Sequence, residues 1–396
     1  MKVILLNTRP RFLEEWGGDT TQIVETQKAL QQLGVVAELA TSEQQYDWAG
    51  YDLVHLFNMQ TAENALDLLE RVQALRKPVA LSTIFWDLRY ARHPDNLRFG
   101  ESPFWARFAS ASPRFAMALQ SLRQVRGKAR LLRAQRTLLC GVDLILPNSV
   151  AELEILVAQF RLPSLRSMAV IVPNAVSPPA APSSTANEMV ASLPDKFALM
   201  AAGFHPIKGQ ARLIQALMHD PQIPLVFVGR DGSNTSYGRH CHQLAERRGN
   251  TFFVDAVPHE LMPQLYRRAK VHALPSFRES PGLASLEAAV YGANCVVAIH
   301  APVQEYFGLD CFICDPVSPA SVRKAVLDAW DAPPNDNLRS RILKEFTWQR
   351  AAEETLHGYE FLLSKRRASV SGSPQRLPAF HDDHPVLKEP CATPLL

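Results

Sequence analysis

Short apolar runs alternate with amphipathic stretches along most of the chain. Helical periodicity lies over about 20–33 and 62–75, and Gly34 is placed to end the first of these helices. The runs that predict buried strands in the first half are KVILLN (2–7), VVAELA (35–40), DLVHLFN (52–58), PVALSTIF (78–85) and DLILPNS (143–149). Apolar strands that alternate with helices predict a parallel sheet covered on both faces.

A second strand series begins after an uncharged segment rich in Pro, Ser and Ala, residues 177–187, which is typical of a loop near a domain junction. Its strands are FALMAAG (197–203), PLVFVG (224–229), TFFVDAV (251–257), VHALPS (271–276), CVVAI (295–299) and CFICDP (311–316). We therefore predict two doubly wound, Rossmann-like α/β domains, over residues 1–173 and 174–346. A last helix, 347–366, is expected to pack back toward the first domain, and 367–396 to be a disordered tail.

Composition excludes a disordered chain or a small disulfide scaffold, since 47% of the 396 residues are hydrophobic and 20% are charged. The formal net charge of +3 gives no reason to expect a nucleic-acid partner. Six irregularly spaced cysteines and an opening apolar run too short for a signal-peptide core suggest a cytoplasmic protein. The stretch 288–304 has no charged residue but contains Gly, Asn, His, Pro and Gln, so it is too polar for a membrane-spanning helix.

The segment between the predicted strand 271–276 and the following helix carries the clearest chemistry. Glu279 and Glu287 are eight residues apart, and a helix is expected to begin near Pro281. Backbone N–H groups around Gly282 and Leu283 would then bind a phosphate, and a carboxylate one to two turns along would accept hydrogen bonds from sugar hydroxyls. This arrangement suits a nucleotide sugar, whereas an isolated pair of glutamates would more often mark an ordinary helix start.

The same segment resembles the signature of the large retaining glycosyltransferase family with the GT-B fold, S-x-x-E-x-x-G-x-x-x-x-E followed by A-x-x-x-G. Here the signature consists of Ser276, Glu279, Gly282, Glu287, Ala288 and Gly292. Other family motifs follow in order over roughly residues 10–365: Gly17–Gly18, LPNSVAE (146–152), VPNAV (172–176), Lys208–Gly209 and FTW (346–348). The resemblance implies two Rossmann-like domains that face a cleft.

The resemblance also implies a set of donor-site residues. It implies that Glu287 binds the nucleotide ribose, that Glu279 faces the donor sugar and that Lys208 neutralises the leaving diphosphate, which makes Lys208 and Glu279 the expected catalytic residues. The complete implied set is Gly17, Gly18, Lys208, Glu279, Gly282, Leu283 and Glu287. A cation and oriented N–H groups stabilise a departing diphosphate without a metal, so no metal and no cofactor are expected beside the nucleoside-diphosphate sugar.

The implied activity is retaining, metal-independent transfer of a sugar to a glycan or lipid-linked acceptor held by the first domain, as in polysaccharide or cell-envelope synthesis. Two departures from the family pattern keep an inactive GT-B scaffold, serving as a nucleotide-sugar sensor or partner subunit, as an alternative. The arginine usual before the lysine is missing from GFHPIKG (203–209), where Arg230 is a candidate replacement, and Trp86–Asp87 stands in place of a His-Asp pair. A dinucleotide-dependent oxidoreductase is disfavoured because the first loop lacks G-x-G-x-x-G.

Three further features have ordinary structural interpretations. His55, in an apolar strand, is expected to be a hydrogen-bonded core residue, and the lone C-x-x-C of Cys311 and Cys314 does not predict a zinc site. The basic region 107–136 lies in a stretch without acidic residues, from 102 to 142. It is either a solvated face or a peripheral contact with the inner face of a membrane, suited to an anionic lipid-linked acceptor.

Overall fold

The computed structural model describes residues 1–41, 46–85, 129–180, 188–230, 232–279 and 281–371, and these form two parallel sheets with helices on both faces. The first sheet has the strand order β2-β1-β3-β4-β5. Its elements in chain order are β1 (Lys2–Asn7), α1 (Gly18–Gln32), β2 (Val36–Thr41), β3 (Leu53–Phe57), α2 (Ala62–Ala74), β4 (Val79–Ser82), α3 (129–141), β5 (Leu144–Leu146) and α4 (Val150–Phe160).

The second sheet has six strands in the order β11-β10-β9-β6-β7-β8. Its elements are α5 (Glu188–Ala191), β6 (Phe197–Ala201), α6 (Gln210–Ala216), β7 (Leu225–Val228), α7 (Ser236–Arg248), β8 (Thr251–Val254), α8 (Met262–Arg268), β9 (Ala269–Leu274), α9 (Leu283–Val290), β10 (Asn294–Ala298), α10 (Ala301–Phe307), β11 (Phe312–Cys314), α11 (Pro319–Asp331) and α12 (Asp336–Glu345). All strand pairs in both sheets are parallel, so the predicted α/β class with two doubly wound domains is confirmed.

Side chains in the loops fix where several helices begin. The hydroxyl or amide oxygens of Ser149, Thr235, Ser318 and Asn335 each accept a hydrogen bond from the N–H three residues later, at 2.9 to 3.2 Å. These contacts satisfy N–H groups that have no partner inside the helix. Ser149, Thr235 and Ser318 follow β5, β7 and β11, so these three helix starts lie at the carboxyl edges of the sheets, where ligands bind in such folds.

The two domains meet through α10 and the start of α4. The Glu305 carboxylate accepts hydrogen bonds from the N–H groups of Val150 and Ala151, both at 2.9 Å. The neighbouring Tyr306 hydroxyl accepts the N–H of Asn174 at 2.8 Å and donates to the carbonyl of Asn148. A carboxylate at a helix N-terminus also interacts favourably with the helix dipole. A side chain of the second domain thus supplies the cap of a first-domain helix.

The last helix, α13 (Trp348–Ser371), returns to the first domain after the chain has completed the second. Its residues Ala352 and Tyr359 are buried in the same cluster as Val3 and Leu5 of β1. The helix continues to Ser371, five residues beyond the predicted end at 366. No glycine or proline lies between Gly358 and Ser371, so nothing in that stretch breaks the helix.

One buried polar contact ties α13 to the first sheet. The His55 imidazole on β3 has its Nδ1 at 2.7 Å from the Tyr359 hydroxyl and its Nε2 at 2.9 Å from the hydroxyl of Ser82 on β4. Burial lowers the pKa of His55 to about 3, so the ring is neutral at physiological pH. His55 is therefore a hydrogen-bonded core residue, as the sequence suggested.

We expect Tyr359→Phe to lower the free energy of unfolding by about 1–3 kcal/mol, because it leaves a nitrogen of the buried His55 without its partner. Denaturant unfolding measures this loss. His55→Leu is the companion variant, since it removes the other half of the same bond. The losses in the double variant should fall well short of the sum of the single losses, and full additivity would show that the bond contributes nothing.

Candidate functional site

Two of the sequence-predicted residues form an ion pair between the loops that follow β6 and β9. The Lys208 Nζ lies 2.6 Å from the Glu279 Oε1, and the two side chains are 24% and 10% exposed. The residues are 71 positions apart in sequence but adjacent here because β6 and β9 are hydrogen-bonded neighbours in the sheet. The partly buried position strengthens the attraction relative to a surface pair.

Ser276 locks these two loops together. Its hydroxyl lies 3.1 Å from the carbonyl of Ile207 and 2.8 Å from that of Arg278, and the next N–H, of Phe277, donates to the Ile207 carbonyl at 2.8 Å. Ser276 is fully buried. The conformation of the Glu279 segment is therefore set by the backbone just before Lys208.

Gly209 permits the close approach of the same loops. Its φ is +88°, and a Cβ atom at this position would lie 2.7 Å from the carbonyl oxygen of Pro275. A side chain here would be strained by the backbone conformation and would also collide with backbone that cannot rotate away. The Lys-Gly pair therefore combines the cation with the residue that brings it close to the Glu279 loop.

The helix α9 begins at Leu283, two residues later than expected, because Gly282 adopts a left-handed conformation with φ of +90° and serves as the N-cap. The N–H groups of Ser285 and Leu286 donate to the Gly282 carbonyl at 2.9 and 3.3 Å. The N–H groups of Leu283 and Ala284 precede the first possible partner within the helix. They lie where the sequence placed the anion-binding groups.

Glu287, on α9, is held by residues that the sequence did not single out. The Tyr266 hydroxyl on α8 donates to its Oε2 at 2.6 Å, and the His259 Nε2 lies 3.6 Å from its Oε1. Tyr266 is buried, whereas the His259 side chain is largely exposed. The Glu287 carboxylate raises the pKa of His259 above its ordinary value. Neither residue carries a sequence signal, because both contacts join separate elements.

The loop of Gly17 and Gly18 brings the first domain close to the N-terminus of α9. Gly17 is the N-cap of α1, and a Cβ atom on Gly18 would lie 3.7 Å from the Leu283 side chain of the second domain. Asp19 holds this loop by accepting hydrogen bonds from Arg9 at 2.8 Å and Asn58 at 3.0 Å. Burial raises the pKa of Asp19, but the hydrogen bonds to its carboxylate outweigh this effect and the pKa lies below its ordinary value.

The departures from the family pattern have a partial structural explanation. Phe204 does not replace an arginine at the site, because its ring packs against Phe227 and Phe253 with centroids 5.8 and 5.6 Å away. Arg230 is exposed, and its carbonyl accepts the N–H of Phe204 at 3.0 Å, which puts the β7 loop beside the Lys208 loop. Trp86 and Asp87 lie outside the described residues, as does most of the basic region, residues 107–128.

Among the described residues, no group of three or more His, Cys, Asp or Glu side chains is placed to hold a metal ion. Burial raises the pKa of both Cys311 and Cys314 to about 12, which keeps these thiols protonated. Within the described ranges, every helix is too short or too polar to cross a bilayer.

Comparison with known proteins places this geometry in a structural class. The chain superposes on sucrose-phosphate synthase from Thermosynechococcus elongatus with a TM-score of 0.68 and 16% identity, over 92% of this chain and 99% of that one. It superposes on HepE of Anabaena, solved in complex with UDP and glucose, with a TM-score of 0.56 and 15% identity, over 94% and 100%. The chain has the GT-B fold.

The match to a family model concerns the second domain of this GT-B protein. Residues 187–345 match the family model of group 1 glycosyl transferases. O-antigen chain mannosyltransferase B of Escherichia coli is 26% identical over 42% of this chain and 46% of its own length. A D-inositol 3-phosphate glycosyltransferase of Stackebrandtia nassauensis is 27% identical over 59% and 57%. The chain spans about half the length of these curated relatives.

We expect Gly209→Ala to disrupt the site far more than Gly34→Ala does. Both glycines have left-handed φ values, +88° and +82°, but a Cβ at Gly34 meets nothing within 4 Å. Gly34→Ala should therefore lose only about 1–2 kcal/mol in denaturant unfolding. Gly209→Ala should lose more and should also displace Lys208, which titration with nucleoside diphosphates would detect as weaker binding. Equal losses of stability in the two variants would contradict the close contact with Pro275.

An NMR titration of the His259 ring should give a pKa above that of an ordinary histidine, and Glu287→Gln should lower it. The raised pKa means that protonated His259 stabilises the folded state. This contribution is complete below the unfolded pKa of about 6.5 and disappears as the pH rises through the folded pKa. His259→Gln should remove that part of the pH dependence of unfolding. An unchanged His259 titration in Glu287→Gln would contradict the contact.

Proposed function

We propose that this protein is a glycosyltransferase that transfers a sugar from a nucleoside-diphosphate sugar to a glycan or lipid-linked acceptor, with retention of anomeric configuration and without a metal. The observation that carries the proposal is the convergence at one point of Lys208, Glu279, the N-terminus of α9 and the Gly17–Gly18 loop. The match of the second domain to group 1 glycosyl transferases supports the reaction class.

The charges at the site suit departure of a diphosphate. Cleavage of the bond between sugar and phosphate leaves negative charge on the phosphate oxygens, which a fixed cation and oriented N–H groups stabilise. Lys208 supplies the cation, and the first turn of α9 supplies N–H groups with the positive end of the helix dipole. The diphosphate would compete with Glu279 for Lys208, so donor binding would loosen the ion pair and release the Glu279 carboxylate toward the sugar.

Retention is part of the same proposal. Once the diphosphate has taken Lys208, the released Glu279 would stabilise positive charge on the sugar and would not take the proton of the incoming hydroxyl. We propose that the departing diphosphate accepts that proton on the face from which it leaves, after an oxocarbenium-like transition state. The acceptor would then approach from the same face of the sugar, from the side of the first domain. Arg230 would assist the diphosphate from the neighbouring β7 loop.

Donor recognition would depend on the second domain, with Glu287 on the ribose hydroxyls. The structure of HepE in complex with UDP and glucose supports a nucleotide sugar as the donor in a protein of this fold. The relative named as an O-antigen chain mannosyltransferase supports a glycan or lipid-linked acceptor in the cell envelope. The contact with a membrane through the basic region 107–136 stays a proposal, and of that region Arg130 is paired with Glu63.

We expect Lys208→Met to lower kcat for donor turnover by about 10²–10³-fold, since it removes the cation that faces the leaving group. The measurement is turnover across a panel of UDP-, GDP- and ADP-sugars. Lys196→Met is the matched control, because Lys196 is an exposed lysine at the opposite, amino end of the same strand. If the wild type binds a donor but turns over no acceptor or water, the protein is the inactive scaffold instead.

Glu287→Ala should act differently and raise KM for the donor by about 10–100-fold with a smaller effect on kcat, because it removes hydrogen bonds present in both ground and transition states. Initial rates over a range of donor concentrations separate the two parameters. Near-wild-type kinetics in both Lys208→Met and Glu287→Ala would contradict the assignment of this site.

A further inference from the structure

The Tyr266 hydroxyl makes a contact that the proposed reaction does not require directly. It donates to the Glu287 Oε2 at 2.6 Å, and its own ring is 2% exposed. The ring is stacked on Tyr291 with centroids 5.8 Å apart, and it packs edge-on against His272 at 6.4 Å. Two aromatic neighbours therefore hold the Tyr266 ring in place, and its hydroxyl contacts the Glu287 carboxylate.

We propose that Tyr266 is a positioning residue that orients the Glu287 carboxylate to recognise a vicinal diol, the 2′ and 3′ hydroxyls of a ribose, and so sets the preference for ribonucleotides. This inference deepens the proposed function and rests on it. Tyr266 itself does not contact the donor; it acts through Glu287.

The geometry of the carboxylate supports this role. A glutamate side chain has several rotamers, and fixing it costs free energy that an unsupported site must supply each time a ligand binds. The Tyr266 hydroxyl fixes Oε2 and leaves Oε1 turned toward the exposed His259. Each carboxylate oxygen accepts more than one hydrogen bond, so both oxygens retain capacity for a hydroxyl.

The Tyr266 hydroxyl is also a permanent donor. Burial and the adjacent Glu287 carboxylate raise its pKa well above the ordinary value, so the proton stays on the oxygen throughout the physiological range. A donor to a carboxylate adds a charge-assisted hydrogen bond, which is stronger than a neutral one. Tyr266 thus stabilises one orientation of Glu287 at every pH at which an enzyme would work.

The test is the affinity of the protein for ribo- and 2′-deoxyribonucleoside diphosphates, measured by calorimetry. The affinities of the wild type for UDP, GDP and ADP are measured first. The nucleotide that binds most tightly is then compared with its 2′-deoxy form. Tyr266→Phe should weaken binding of the ribonucleotide by about 2–10-fold, the cost of ordering one flexible side chain on binding, and affect the deoxynucleotide less. The preference for ribose should therefore shrink. In donor kinetics the same variant should raise KM and leave kcat at saturation nearly unchanged.

Tyr291→Phe is the matched control. The two rings are stacked, but the Tyr291 hydroxyl accepts the N–H of Ala180 instead of facing Glu287. This variant should keep the wild-type preference for ribose. A thermal unfolding scan checks that both variants are folded. If Tyr266→Phe does not fold, 3-fluorotyrosine at position 266 retains both ring and hydroxyl with a more acidic proton, and the altered hydrogen bond should change the preference for ribose.

The outcomes separate this inference from the proposed function. If the wild type binds no nucleoside diphosphate, the proposed function fails and this inference fails with it. If the wild type prefers the ribonucleotide and Tyr266→Phe keeps the full preference, the positioning role alone is overturned. A reduced preference in Tyr266→Phe together with an unchanged one in Tyr291→Phe supports it.

Discussion

The candidate site depends on the parallel pairing of β6 with β9. Because these strands are adjacent and parallel, the loops after them leave the sheet at one edge and in one direction. Ser276 then joins them through the Ile207 carbonyl, and Gly209 lets their backbones touch. The ion pair between Lys208 and Glu279 follows from this arrangement and does not create it. Sequence distance is irrelevant once the strand order is set.

A second constraint comes from the way in which the domains share structural elements. Glu305 of the second domain caps α4 of the first. The hydroxyl of Tyr306 forms hydrogen bonds with the backbone of Asn148, just before α4, and of Asn174, where the chain passes into the second domain. The Tyr306 ring lies in a buried cluster with Leu286 and Phe346, whereas Glu305 is half-buried. Glu305 and Tyr306 tie the two domains together at α10, and the Gly18 loop beside Leu283 is a second place where the domains approach each other.

The sequence predicted the architecture well because buried parallel strands have a strong signature. Runs such as LVHLF and LVFV are almost entirely apolar, and each forms a strand that is buried on both faces. Helix ends were harder to predict. Proline in a first turn predicts a start of α9 near Pro281, but the left-handed Gly282 delays it to Leu283. The polar composition near the C-terminus predicts a helix end at 366, whereas α13 continues to Ser371.

The site was predictable only as far as a linear pattern could indicate it. The spacing of Glu279 and Glu287 marks one loop and one helix, and the order of motifs pointed to Lys208. Tyr266 and His259 could not be found in this way, because their contacts with Glu287 arise from the packing of α8, and of the turn just before it, beside α9. The packing of Phe204 against Phe227 and Phe253 could not be predicted either, because the residue type at a loop position does not reveal the direction of its side chain.

The return of α13 to the first domain has a consequence for how the chain is made. The core around β1 is incomplete without Ala352, Tyr359 and Leu362, which are separated from β1 in sequence by the entire second domain. During synthesis the second domain has all its strands before these residues emerge from the ribosome. The domain that is translated first therefore completes its core last. His55 and its hydrogen-bond partner Tyr359 are 304 positions apart in the chain, so their bond forms only after the second domain has been synthesised.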